Sequence, residues 1–295
     1  MGPRLMALKR TALASMVIVV SVLVAMGVAW AGGHGGVEIA GIPLIVGCAW
    51  LAFAVQWVAF VPAFVRQTER FYDLVGSLTY MAVTALAIAG SRPTDARSAL
   101  LGILVFVWAL RLGSFLFRRI QAAGSDPRFD EIKPSAPRFL VAWTLQGLWV
   151  FLTLSAALAA ITTLTSAELG LADAVGLVVW VAGFAIEVVS DRQKSRFRAE
   201  RPGHFVTTGL WAWSRHPNYF GEIVLWTGIA IIASSTLRGW QWVTMISPLF
   251  VIVLLTRVSG IPMLERRADE RWGGDERYRR YKSSTPVLIP RPPRR

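Results

Sequence analysis

The chain has 295 residues, 54% of them hydrophobic and 17% charged, against about 25% charged in an ordinary soluble domain. Its single cysteine, Cys48, excludes an internal disulfide and a cysteine-based metal cluster. The three histidines (His34, His204 and His216) lack ligand spacing, so no metal site is expected. The formal net charge of +13 suggests nucleic acid only until the basic residues are mapped along the chain.

Eight apolar runs approach the roughly 17–25 residues that span a bilayer: 12–30, 39–63, 72–90, 98–117, 139–161, 171–190, 220–237 and 240–256. The last three are short or polar at one end, so seven to eight spans are expected. The first follows Lys9 and Arg10 and ends near Ala29-Trp30-Ala31, which resembles a signal-peptide boundary. The run exceeds the about 7–15 residues of a signal core, and a retained helix is expected. Cleavage there would leave the orientation of the rest unchanged. With eight spans and a cytoplasmic N-terminus, all but four of the 31 Lys and Arg residues fall inside. Arg92, Arg97 and Arg238 fall outside, and Arg111 lies within a span. This positive-inside bias predicts an integral membrane protein with both termini cytoplasmic. It also accounts for the basic charge through anionic lipid rather than nucleic acid.

The spans carry polar residues at one depth. Gln56, Arg111 and Gln146 each lie six or seven residues from the inner end of their run, about 10 Å deep at ~1.5 Å per residue. Tyr72 and Asp73 enter span three from the same side, and Glu187 and Glu222 lie near the inner ends of spans six and seven. Polar groups within lipid are costly and mark candidate sites, so a polar chamber in the inner leaflet is expected. Interhelical hydrogen bonding by the glutamines and snorkelling by Arg111 are the plain alternatives.

After span six the helix becomes basic, through Asp191, Arg192, Lys194, Arg196 and Arg198. Asp191 and Arg198 share a helix face. Guanidinium groups suit phosphates, and a carboxylate among them can accept from ribose or an amide. Next comes Ser214-Arg215-His216-Pro217-Asn218-Tyr219, then Glu222. Pro217 suits a first helical turn, so these residues gather around a helix N-terminus, which favours an anion. The tail carries Glu265, Asp269, a Gly273-Gly274 break, Tyr278-x-x-Tyr281 and a closing Val287-Leu288-Ile289-Pro290. No G-x-G-x-x-G follows a strand, so a dinucleotide would bind without a Rossmann fold.

These segments resemble the steroid 5-alpha-reductase family, especially its bacterial branch. The resemblance rests on Arg70-Phe71-Tyr72-Asp73-Leu74, on Phe184 to Arg198, on Gly209 to Glu222, and on Tyr278-x-x-Tyr281 with Leu288-Ile289-Pro290. It implies an all-α polytopic transmembrane bundle of a bacterial inner membrane, with a cytoplasmic C-terminal cofactor region. Residues 1–137 would enclose an apolar or lipid-like substrate, and 138–295 would form an NADPH site. The implied activity is NADPH-dependent reduction of a carbon–carbon double bond in a steroid- or lipid-like enone. By segment matching, Asp191, Arg198, Asn218 and Glu222 fall on cofactor-contacting positions. Glu187, Lys194, Arg215, His216, Tyr219, Glu265, Tyr278 and Tyr281 are expected nearby. The steroid enzymes carry a Gln-Glu pair where this chain reads Val55-Gln56-Trp57, and a substrate-side Tyr where it has Trp108. Gln56 and Arg111 are therefore assigned to carbonyl polarisation, and Tyr72 to proton donation. The alternative is an S-adenosylmethionine-dependent methyltransferase of the isoprenylcysteine carboxyl methyltransferase type, which shares Arg215-His216-Pro217-x-Tyr219 and a Glu before Tyr-x-x-Tyr. The basic stretch after Asp191 favours NADPH, since the methyl donor has no phosphate.

Overall fold

The computed structural model describes residues 3–91 and 95–293, with side chains from Thr11 onward. Of the basic residues counted above, Arg92, Arg294, Arg295 and the side chains of Arg4, Lys9 and Arg10 lie outside that range. In chain order the helices are α1 (Pro3–Gly32), α2 (Leu44–Val65), α3 (Tyr72–Gly90), α4 (Ala96–Ala123), α5 (Ala136–Thr162), α6 (Leu171–Glu200), α7 (Pro217–Ser234), α8 (Ile246–Val253), α9 (Ile261–Trp272) and α10 (Glu276–Ser284). Seven helical segments among the described residues are long and apolar enough to cross a membrane. The fold is an all-α polytopic bundle, as expected.

Two spans differ from the sequence reading. The second begins at Leu44 rather than 39, because residues 38–43 form a hairpin of β1 (Glu38–Ile39) and β2 (Ile42–Pro43). Ala40 (φ 52°) and Gly41 (φ 77°) both occupy the left-handed region, as a two-residue hairpin turn requires. The apolar composition of that turn imitates a helix start. The last run, 240–256, is not one helix. It opens as a tight 3-10 segment (Gly239–Met245), continues as α8, and ends in a π turn (Leu254–Val258) before α9. Gln241 holds the opening turn: its Oε1 accepts from Arg238 N–H and its Nε2 donates to Thr163 Oγ1.

The chain forms two compact units, Met1–Leu169 with Ala233–Ile246, and Gly170–Ile232 with Ser247–Arg295. The first unit is built around α5, which is buried at every residue from Val150 to Thr162. It packs against α1, α2, α3, α4 and the 3-10 segment. Small residues such as Ala156, Ala157, Ala159 and Ala160 let those neighbours approach closely. The functional halves read from the sequence divide at 137/138, so α5 packs with helices from the other half.

The second unit depends on α6 against α7. Gly176 and Gly183 on α6 face Gly228 and Gly221 on α7, in antiparallel register. A Cβ on Gly221 would lie 2.6 Å from Glu187 N, and one on Gly228 would lie 2.6 Å from Gly176 O and 2.7 Å from Trp180 N. No side chain fits between these backbones. The 30-residue α6 is about 45 Å long and exceeds the ~30 Å hydrocarbon, so its last turns leave the apolar slab. The shorter α7, with its polar first turn, is not among the seven long apolar segments, and it runs back along α6 through this register.

Gly221→Ala is expected to lower the melting temperature of the purified protein, at a cost of about 1–3 kcal/mol for overpacking. An unchanged melting curve would contradict the close backbone contact.

Candidate functional site

In the first unit, Gln56 on α2 is fully buried, and its Nε2 donates to Thr79 Oγ1 at 2.8 Å. Gln146 on α5 lays its amide against Gly76, where a Cβ would meet Nε2 at 2.6 Å. Gly76 and Thr79 are one turn apart on α3, so the two glutamines converge on one face of that helix. Each keeps an Oε1 buried without a partner among the described residues. A buried acceptor of this kind calls for a donor. Arg111 is half-buried on α4, with its guanidinium 5.3 Å from the Phe115 ring. Trp108, at the expected position of a family tyrosine, is buried edge-on to Tyr80.

Tyr72 is a packing residue in this structure. Its ring lies 4.8 Å from Phe129 and 5.0 Å from Trp143, and its hydroxyl donates to Ala142 O at 2.9 Å. To serve as an acid it would have to leave that carbonyl. Nearby, Glu69 is a buried carboxylate that the sequence reading passed over. It accepts from Asp126 N–H and Lys133 Nζ, both at 2.7 Å. With Arg70 Nε donating to Gly124 O, it fixes the 124–135 loop to the start of α3. Only its place in a short turn between Arg66 and Arg70 could have drawn notice.

In the second unit, the glycine register brings polar side chains of α6 and α7 together. Asn218 Nδ2 donates to Asp191 Oδ1 at 3.3 Å. One turn along α7 and one turn back on α6, the same register sets Glu222 level with Glu187. Asp191, Glu187 and Glu222 are all buried. Three buried carboxylates within two turns are costly, and they suit donors such as hydroxyls and amides rather than phosphates. Farther along α6, Lys194 lies over the Trp211 ring at 4.6 Å, followed by Arg198. Trp211 is itself fixed, its Nε1 donating to Ser190 O at 3.0 Å. Asp191, Lys194, Arg198 and Arg201 recur at i, i+3, i+7 and i+10, a single stripe that passes from acidic to basic.

Arg215 and His216 meet Glu265 of α9. Arg215 Nη1 pairs with one carboxylate oxygen, and His216 Nε2 lies 2.8 Å from the other. The Arg215 guanidinium at the start of α7, expected to favour an anion there, is thus paired with Glu265 in this structure. Lys282 is committed likewise, to Asp269 and Glu265. Burial, helped by the positive Lys194 and Arg215, pulls His216 below the ordinary imidazole range, while Glu265 opposes this. A neutral ring donating from Nε2 leaves Nδ1 as an acceptor, and Nδ1 is buried with no partner among the described residues. The Tyr219 ring stacks on the imidazole at 5.7 Å.

Tyr278 and Tyr281 act as props. The Tyr278 hydroxyl donates to Asp269 Oδ1 at 3.1 Å and that of Tyr281 to Trp211 O at 2.7 Å. Burial raises both above the usual phenol range. The closing apolar run docks on the loop before α7. Pro286 O accepts from Arg215 N–H, Leu288 O from the Ser214 hydroxyl, and Ser214 Oγ from His216 N–H. Ser214, fully buried, was not among the expected site residues, although it directly precedes Arg215-His216.

The family described as "Protein of unknown function (DUF1295)" matches residues 59–285. The chain belongs to this family. The DUF1295 match takes in every candidate residue above except Gln56. A 70-residue stretch, 23% of the chain, is 36% identical to steroid 5-alpha-reductase DET2 of Arabidopsis thaliana, and it covers 24% of that protein. The chain thus matches about a quarter of the plant protein's length. No solved structure matches it.

Because the fold favours neutral His216, stability is fully present above its ordinary value near pH 6.5 and falls as pH drops below it. Thermal unfolding of this DUF1295 protein between pH 7.5 and 5.5 should lose more in the wild type than in His216→Gln. Equal losses would contradict a buried neutral imidazole.

Proposed function

We propose that this DUF1295 protein is a membrane-embedded reductase that uses NADPH to reduce a carbon–carbon double bond in an apolar, lipid-like enone. The observation that carries the reading is the acidic-to-basic stripe on α6. Its acidic end, with Asn218 and the neutral His216, offers partners for ribose hydroxyls and an amide. Its basic end offers guanidinium groups for phosphates. The 36% identity to a steroid 5-alpha-reductase over 70 residues supports oxidoreductase chemistry. In the bacterial inner membrane that the family resemblance implies, the positive-inside bias supports an orientation with the basic end of α6 and both termini in the cytoplasm, where the dinucleotide is available.

The cofactor supplies a hydride, which suits the electron-poor β-carbon of an enone. The residues of the chain then have two tasks. One is to hold the dinucleotide: Asp191, Asn218 and His216 bind neutral donors and acceptors, while Lys194 and Arg198 bind charge. Arg215 and Glu265 hold His216 in its tautomer. The other is to stabilise negative charge growing on the substrate oxygen. Gln56 keeps one amide N–H beyond that given to Thr79, and Arg111 brings a full charge. With the Tyr72 hydroxyl committed to Ala142, water is the better source of the proton for the α-carbon.

Detergent-purified protein should gain more thermal stability from NADPH than from NADH or S-adenosylmethionine. Arg198→Ala should remove most of the NADPH gain while the unliganded melting temperature stays put. Stabilisation by S-adenosylmethionine alone would overturn the reductase in favour of a methyltransferase.

A further inference from the structure

Beyond Arg198 the α6 stripe runs through Arg201 into a cleft. It lies between the end of α6, the 201–208 loop and α10, with a volume of about 420 Å³. Arg201, Arg277 and Arg280 line it, with Phe205 and Tyr281 among its aromatic walls. Asp275 is the one carboxylate in the lining, and it is turned onto its own helix, accepting from Arg277 N–H at 2.8 Å. Three guanidinium groups against one carboxylate leave a net positive cleft. The ion pair between Arg280 and Glu276, at 3.2 Å, is exposed on both sides, so a stronger anion can displace it at little cost.

The cleft combines two features. Its guanidinium groups suit a phosphomonoester, which accepts bidentate bonds. Phe205 and Tyr281, with ring centroids 6.0 Å apart, offer apolar faces for a flat base, and arginine stacks on such a base as well. From Asp191 to Arg201 the stripe covers ten residues, about 15 Å of helix, so both ends of one extended ligand can lie along it.

We propose that this cleft takes the adenosine end of the dinucleotide, with Arg201, Arg277 and Arg280 on its 2′-phosphate. The inference rests on the NADPH reading above and adds the place where NADPH is told from NADH. A ligand carrying only that end isolates it. Binding of 2′,5′-ADP and of 5′-ADP to the full-length protein in detergent, followed by tryptophan fluorescence, is the test. The wild type should bind 2′,5′-ADP at least about tenfold more tightly than 5′-ADP, as expected for one added charge-assisted contact. Arg277→Ala and Arg280→Ala should each erase most of that preference, and Arg277→Lys should restore part of it. Melting without ligand checks that each variant is folded. Unchanged preference in the folded variants overturns the assignment, as does inorganic phosphate competing as well as 2′,5′-ADP. NADPH binding that keeps its preference over NADH in both alanine variants sinks the subsite and leaves the reductase standing. A wild type that binds 2′,5′-ADP but not NADPH sinks the reductase instead.

Discussion

The backbone contact between α6 and α7 governs the second unit. Four glycines let the two backbones meet at the interface, and the register is fixed because any slip would drive a Cβ into a neighbouring backbone. In lipid there is no hydrophobic force between helices, so close packing of this kind supplies the attraction. The same register sets Asn218 on Asp191 and Glu222 level with Glu187. Buried carboxylates would be hard to hold at that depth without partners fixed in place.

A second constraint acts on the loop that enters α7. Glu265 takes Arg215 and His216 together, and the docked tail holds the backbone of both through Pro286, Leu288 and Ser214. The result is a neutral imidazole with one nitrogen assigned and the other presented as an acceptor. A charge-rich sequence thus produces an uncharged imidazole among paired charges. The positive charges of Lys194 and Arg198 lie farther along α6.

Much of this was legible in the sequence. The long apolar runs and their basic ends gave the bundle, because lipid demands helices of a certain length. His216 and Asn218 stood out as polar residues around a proline-started helix, and Asp191 as a carboxylate among basic residues after span six. What the sequence hid was pairing. Arg215 read as an anion ligand because Glu265, fifty residues later, cannot be matched to it by spacing. Tyr72 read as an acid because its carbonyl partner on α5 leaves no local trace. Glu69 and Ser214 carry no motif, and their importance arises only when distant loops close on them. The hairpin at 38–43 failed for the opposite reason, since its composition is apolar while its backbone is left-handed.

The central claim is that α6 carries a dinucleotide along one face, riboside end at Asp191 and phosphate end toward Arg201. An experimental structure of the full-length protein in lipid nanodiscs with NADPH tests it most directly. The account predicts ligand density following that stripe, with a donor group against Nδ1 of His216. Density at any other surface, or an α6 stripe bare at saturating NADPH, would contradict it.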